Sequence, residues 1–142
     1  MLAPSDKSLL LTERWELLLL FLTTGEVAIQ PIDNQRIMNG MFLLEMKGGL
    51  GTHSYHFEPH TYGPFSKQVH RDVDILQGRG YIDMYWRVTT EGMKVVNAIV
   101  ERLPKETREL VRQAQDDIWN KGFVELLQSI YKQYPQYAVK YD

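Results

Sequence analysis

The sequence predicts an α+β fold that is mostly helical. Apolar residues recur at helical spacing in several segments that glycine or proline separates. Residues 81–88 instead alternate between apolar and polar side chains, a pattern typical of a half-buried strand. A helix ending at Gly78 and Gly80 precedes this segment, and a new helix is expected from Thr90. Helix, glycine stop, hairpin-like strand and helix follow each other in the order of a winged helix.

The predicted strand has one apolar and one polar face. The apolar face comprises Ile82, Met84, Trp86 and Val88, and the polar face comprises Asp83, Tyr85 and Arg87. Because Trp86 lies on the apolar face, we expect its ring to pack in the core and not to stack on nucleic-acid bases.

Two helices before this region are expected to form the centre of the core. Thr12 is the expected cap of the first helix, whose apolar residues are Trp15, Leu18, Leu19 and Leu22. The second helix is expected to begin at Asn34. Its apolar residues, which cover almost all of its surface, are Ile37, Met38, Met41, Phe42, Leu44 and Met46.

A tight turn is predicted at Tyr62-Gly63-Pro64-Phe65-Ser66. Pro64 fixes its own φ and biases Gly63 away from helical backbone, so the chain has to turn there. Ser66 is then free to cap the next helix, which is predicted over residues 66–79. Removing its hydroxyl is expected to lower the free energy of unfolding by about 1 kcal/mol.

The chain is expected to form one structural unit with two parts. Residues 12–90 are the predicted winged-helix domain, and residues 91–142 are a predicted C-terminal helical extension packed on it. Pro104 suits the first turn of a helix, and a last helix ends before Pro135. The extension carries much apolar surface, at Ile118, Phe123, Leu127 and Tyr131 and at further tyrosines including Tyr141. This surface predicts a homodimer, with folding back onto the same chain as the alternative.

Composition excludes several classes of protein. The 142 residues include no cysteine, which excludes disulfides and thiolate metal sites and fits a cytoplasmic protein. The apolar run Leu17 to Leu22 is far shorter than the roughly 20 residues that a membrane span needs. The formal net charge of -2 argues against strong non-specific binding to polyanions.

The exposed face of helix 66–79 is the predicted binding surface. It carries Lys67, His70, Arg71 and Asp74, and Arg87 would lie on the wing. If the partner is DNA, Lys67 and Arg71 are expected on phosphates or guanine edges, with Arg87 on a phosphate. Residues 66–90 have a net charge of only +1, a weak electrostatic footprint for nucleic acid. DNA and a partner protein therefore both remain open as partners.

No enzyme, metal site or cofactor is predicted. Ser66, His70 and Asp74 lie at i, i+4 and i+8, and side chains stacked along one helix do not converge as a catalytic triad requires. His56 and His60 flank Pro59 without helical spacing and without a cysteine to complete a zinc site. The sequence thus predicts a non-enzymatic winged-helix regulatory protein that binds through helix 66–79 and the wing.

Three segments together resemble a known group of proteins. They are Arg36 to Glu45 (RIMNGMFLLE), Tyr62 to Ile82 with the Gly-Pro turn, and Ile130 to Ala138 (IYKQYPQYA). In order and spacing they resemble poorly characterised prokaryotic winged-helix-like proteins, distantly similar to the Panacea (SocA-like) antitoxin domain. The chain departs from this group at Asn39, where relatives tend to carry a lysine. The resemblance implies an alternative function, an antitoxin-like or proteolysis-adaptor protein that binds a protein partner and has no DNA role.

Overall fold

The computed structural model describes residues 14–23, 34–48 and 55–138. Within these ranges the chain forms six α-helices followed by one short 3₁₀ helix. The α-helices are α1 (Trp15–Phe21), α2 (Asn34–Gly48), α3 (Lys67–Gly78), α4 (Thr90–Arg102), α5 (Lys105–Asn120) and α6 (Phe123–Gln133), and the 3₁₀ helix is Pro135–Tyr137. Thr12 and Tyr141 lie outside the described residues.

The predicted α+β winged-helix fold is wrong. The described ranges contain no β-strand, and their only β-type pairings are two isolated bridges, Glu58 with Phe65 and Ile82 with Val88. Residues 83–87 form a tight turn, the Asp83 turn, in which the Asp83 N–H donates to the Arg87 carbonyl at 2.8 Å. The carboxylate of Asp83 accepts the backbone N–H groups of Tyr85 at 2.8 Å and Arg87 at 2.9 Å. These local bonds favour a turn over a strand, so the chain has no wing there.

Helix α1 lies at the centre of the core. All seven of its residues are buried, and it packs against α3, α4 and α5. Helix α2 packs mainly against α5, and five of the six apolar residues predicted for its core face are buried. Buried polar contacts tie these helices together: Glu16 pairs with Arg102, and the Gln115 amide donates to the Phe21 carbonyl at 2.7 Å. The latter bond satisfies a carbonyl at the C-terminal end of α1.

The C-terminal helices fold back onto the same chain. Ile118, Leu126 and Ile130 are buried, and the Phe42 ring meets the rings of Tyr134 and Tyr137 at 5.3 and 4.7 Å between centroids. Part of the apolar surface that predicted a homodimer is thus used inside the described structure. Phe123, Leu127 and Tyr131 are half-buried, and the homodimer stays a prediction.

Candidate functional site

The turn before α3 depends on Gly63. Its φ of +121° is one that residues with a side chain rarely adopt, and its N–H donates to the His60 carbonyl at 3.1 Å. A Cβ on Gly63 would lie 2.6 Å from Oδ1 of Asn39 in α2. Phe65 and Glu58 then exchange two backbone hydrogen bonds of 2.9 Å, which fix the direction of entry into α3.

Ser66 stands at the N-cap position of α3 but does not cap the helix. Its side chain accepts no hydrogen bond from the first turn, and its buried Oγ has no partner among the described residues. Its N–H lies 3.4 Å from the sulfur of Met38, so Ser66 faces the core and not the open end of the helix. The predicted cap is therefore wrong. Thr89 does cap α4, because its Oγ1 accepts the Gly92 N–H at 3.1 Å.

The structure places four of the five predicted binding residues on α3. Lys67, Arg71 and Asp74 are exposed and His70 is half-buried. Lys67, Arg71 and Asp74 make no hydrogen bond or ion pair with another described residue. The net charge of +1 for residues 66–90 includes Asp72. This residue is buried in the core and does not belong to the binding surface.

Arg87, the fifth predicted residue, is exposed but already paired. Its Nε lies 2.9 Å from Oδ2 of Asp83. Slight burial raises the pKa of Asp83, but the N–H groups of Arg87 and Tyr85 and the Arg87 guanidinium outweigh it, so the pKa lies below its usual value. Arg87 therefore already has an anionic partner, in an exposed ion pair of the kind that is individually weak.

Four rings, of which three are half-buried and one (His60) is exposed, contact one another in succession, and we call them the ring row. It runs from His60 through Phe65 and His70 to Trp86, with centroids 5.3, 5.4 and 6.1 Å apart in that order. The ring row connects the segment before α3, α3 itself and the Asp83 turn. Trp86 is half-buried and packs against the core, as expected. It lies in a turn, however, and not in the predicted strand.

A surface cavity of about 350 Å³ lies at the Phe65 part of the ring row. Its lining residues are His56, Glu58, Phe65, Lys67 and Gln68. The backbone N–H of His56 donates to the Gln68 Oε1 at 2.6 Å. The amide oxygen of Gln68 is thus used as an acceptor, and its amide nitrogen is the side chain's donor group. Imidazole Nε2 of His56 lies 3.7 Å from the Glu58 carboxylate.

The Asp83 turn holds two apolar side chains in solvent. Met84 is 86% exposed and Tyr85 is 66% exposed. The next residue, Trp86, has a φ of +64°, a backbone conformation that is unusual for a bulky residue and costs on the order of 1 kcal/mol. The alternating pattern predicted that Met84 is buried, and this prediction is wrong. Asp83 could have indicated the turn from the sequence, because aspartate is typical of the first position of a turn.

Ser66, His70 and Asp74 do not form a catalytic triad in the structure. The Ser66 Oγ is buried and bonded to neither His70 nor Asp74. Within the described ranges no group of three or more His, Asp or Glu side chains is arranged to hold a metal ion. No described helix combines the length and the apolar character that crossing a membrane requires.

Comparison of the chain with protein-family models, with curated proteins and with solved structures gives no match. The resemblance to Panacea-like proteins therefore stays a prediction. At the position where that group carries a lysine, the Asn39 side chain is fully buried against the Gly63 turn. In this chain the position cannot contact an anionic partner at the surface.

Proposed function

We propose that this chain is a non-catalytic module that binds a protein partner. The contact surface is the Asp83 turn together with the exposed face of α3. The proposal rests mainly on Met84 and Tyr85. They are neighbours at the tip of a turn, and they are the two most exposed large apolar side chains in the described ranges. Methionine and tyrosine are enriched at protein interfaces, where they supply contact area once water is excluded.

The backbone of the turn supports the same function. Trp86 keeps an unfavourable φ although a glycine would adopt it without strain. Strained backbone clusters at binding and catalytic sites, where it fixes side chains in a required position. Here it holds Met84 and Tyr85 away from the core while the Trp86 ring stays against His70.

Electrostatics favour a protein over DNA as the partner. Arg87 is paired to Asp83, so the α3 cations without a partner among the described residues are Lys67 and Arg71, and Asp74 on the same helix opposes them. Affinity for nucleic acid depends on the number of phosphates that cations neutralise, and two contacts per chain supply little. This places the proposal close to the antitoxin-like or adaptor alternative, in which a protein is bound without a DNA role.

The test compares two substitutions of the same chemical kind at different places. The double variant Met84→Ser/Tyr85→Ser removes the apolar tip, and Val124→Ser removes an exposed apolar side chain on α6 that is 64% exposed. Each protein is immobilised and incubated with lysate of its own cells, and retained proteins are quantified. We expect the wild type and Val124→Ser to retain the same partner in stoichiometric amount, and the tip variant to lose it at an unchanged melting temperature.

Two outcomes would contradict the proposal. One is equal retention of the partner by the tip variant. The other is a nucleic-acid gel shift at low salt that Lys67→Ala/Arg71→Ala abolishes and the tip variant leaves intact, which would assign this surface to nucleic acid instead.

A further inference from the structure

We infer that Met84 is an oxidation site, at which hydrogen peroxide converts the thioether to a sulfoxide and so releases the bound partner. The release rests on the proposed function, whereas the oxidation site does not. Three observations carry the inference: the exposure of Met84, a sequence without cysteine, and hydrogen bonds of the Asp83 turn that do not use this side chain.

Met84 is the most exposed methionine in the described ranges. It is 86% exposed, against 40% for Met93. Met46 is half-buried, and Met38 and Met41 are buried in the core. Oxidation requires the peroxide oxygen to reach the sulfur atom, so the susceptibility of a thioether follows its exposure. Among these five residues Met84 is therefore expected to react first.

The chain has no thiol that would compete for the oxidant. Cysteine thiolates are the usual targets of peroxide in proteins, and this sequence contains no cysteine. Methionines are therefore the only sulfur-containing residues in the chain. A peroxide that reacts with sulfur in this protein has to react with a methionine.

The reaction transfers one oxygen atom. A lone pair of the Met84 sulfur attacks one oxygen of hydrogen peroxide, so an S–O bond forms as the O–O bond breaks. The sulfur is oxidised by two electrons and the peroxide is reduced. The departing oxygen takes the proton of the transferred oxygen and leaves as water. Hydrogen peroxide is the only co-reactant, and the product is a polar, chiral sulfoxide.

The Asp83 turn does not depend on the Met84 side chain. Its hydrogen bonds run from the backbone N–H groups of Tyr85 and Arg87 to the Asp83 carboxylate, and from the Asp83 N–H to the Arg87 carbonyl. An exposed sulfoxide at Met84 stays hydrated in the free protein. Oxidation therefore changes the chemistry of the tip and leaves the fold intact.

At the contact surface, oxidation replaces an apolar group with a strong hydrogen-bond acceptor. When a partner covers the tip, the sulfoxide oxygen loses its water, and a buried polar group without a hydrogen bond is unfavourable. The reduced protein thus binds the partner and the oxidised protein releases it. Methionine sulfoxide reductases reverse the reaction, so binding is restored when the sulfoxide is reduced.

The first experiment locates the oxidation site by mass spectrometry. The purified full chain is exposed to hydrogen peroxide for increasing times, and sulfoxide is quantified at each methionine in proteolytic peptides. We expect Met84 to be oxidised several-fold faster than Met93, and Met38 and Met41 to react last. Chain unfolded in urea is the control, in which these differences should disappear. A rate at Met84 equal to or below that at Met93 would overturn the inference.

The second experiment measures the release of the partner. Protein oxidised at Met84 is freed of peroxide, immobilised and incubated with the same lysate. We expect it to retain about tenfold less partner, or none, at an unchanged melting temperature. Treatment with dithiothreitol and the two reductases, one for each sulfoxide epimer, should restore retention. Dithiothreitol has no disulfide to reduce in a chain without cysteine.

Two matched variants assign the release to one sulfur. Met93→Leu and Met84→Leu each remove one exposed thioether and keep an apolar side chain of similar volume. Peroxide should still release the partner from Met93→Leu, and should remove none of the partner that Met84→Leu retains. Equal loss from the two variants, or full retention by the oxidised wild type, would overturn the inference.

The two proposals fail in distinguishable ways. If the tip variant loses its cellular partner and the oxidised wild type retains it, the protein-binding function holds and its control by oxidation is wrong. If the tip variant retains the partner, the protein-binding function at the Asp83 turn is wrong, and the release is wrong with it. The oxidation site is decided by mass spectrometry in either case.

Discussion

Arg14 and Asp72 form an ion pair with two parallel hydrogen bonds, Nε to Oδ2 and Nη2 to Oδ1, each 2.9 Å long. The pair joins the residue before α1 to the inner face of α3, 58 positions further along the chain. The Tyr55 hydroxyl donates a third hydrogen bond to the same carboxylate at 2.6 Å. Asp72 is only 2% exposed, so these three bonds satisfy a charge that would otherwise be buried alone.

The first prediction concerns this pair. Asp72→Ala leaves Arg14 without its partner and is expected to lower the free energy of unfolding by about 3 kcal/mol, at the low end for a broken buried pair because Arg14 is partly exposed. The measurement is urea denaturation. Asp74→Ala, at an exposed position of the same helix, is the control and should change stability by less than about 0.5 kcal/mol. Similar losses for both variants would contradict the buried network.

The second prediction concerns alkaline pH. Burial, with the Asp72 carboxylate beside it, raises the pKa of Tyr55 well above the usual value of a tyrosine. Above about pH 10 the unfolded chain loses this proton while the folded chain keeps it, so the folded state binds more protons and its stability falls as pH rises. Tyr55→Phe should flatten this alkaline decline above about pH 10, with denaturation at about pH 8 as the reference in which both proteins keep the proton.

The same variant loses one hydrogen bond to a charged group and should be about 1–2 kcal/mol less stable at neutral pH. Tyr62→Phe, at a tyrosine that is mostly exposed, should change neither quantity. An alkaline decline of unchanged slope in Tyr55→Phe would show that other groups are responsible.

The third prediction compares two hydroxyls at helix starts. Thr89→Ala removes a real cap on α4 and also the bond from its Oγ1 to the Gly80 carbonyl, and should cost about 1–2 kcal/mol. Ser66→Ala removes a buried hydroxyl that has no hydrogen-bond partner in the described ranges, and should leave stability unchanged or raise it by up to about 1 kcal/mol. Thermal or urea unfolding ranks the two variants. A larger loss at Ser66 than at Thr89 would restore the cap that the sequence suggested.

The fourth prediction compares two glycines. Gly63→Ala has to accommodate a Cβ 2.6 Å from the Asn39 side chain at a φ of +121°, and should destabilise the protein by about 2 kcal/mol or more. Gly78→Ala, at the end of α3, places its Cβ in open space and should be neutral or stabilising by up to about 1 kcal/mol. Both are read from the midpoint of urea unfolding. Tolerance of alanine at Gly63 would mean that the turn adopts another conformation.

The sequence by itself determined where the helices lie. The structure confirms helix 66–79 within one residue, as α3, and Val69, Val73 and Leu76 lie on its buried side. The helix start at Thr90 is confirmed, and the helix expected to have Pro104 in its first turn begins one residue later, at Lys105. These features are local, because helical periodicity and the backbone limits of proline and glycine act within a few residues.

The tertiary structure alone decided what happens to residues 81–88. Alternating apolar residues fit a strand only if a neighbouring strand pairs with them, and here the single bridge between Ile82 and Val88 is all that forms. The hydrogen bonds of the Asp83 carboxylate then prevail, and Met84 points into solvent. The pairing of Asp72 with Arg14 and the inward position of Ser66 also depend on residues far away in sequence. The α3 part of the candidate surface arises from these long-range contacts, because they decide which charges of α3 are buried and which face solvent. The Asp83 turn, in contrast, is held by local hydrogen bonds.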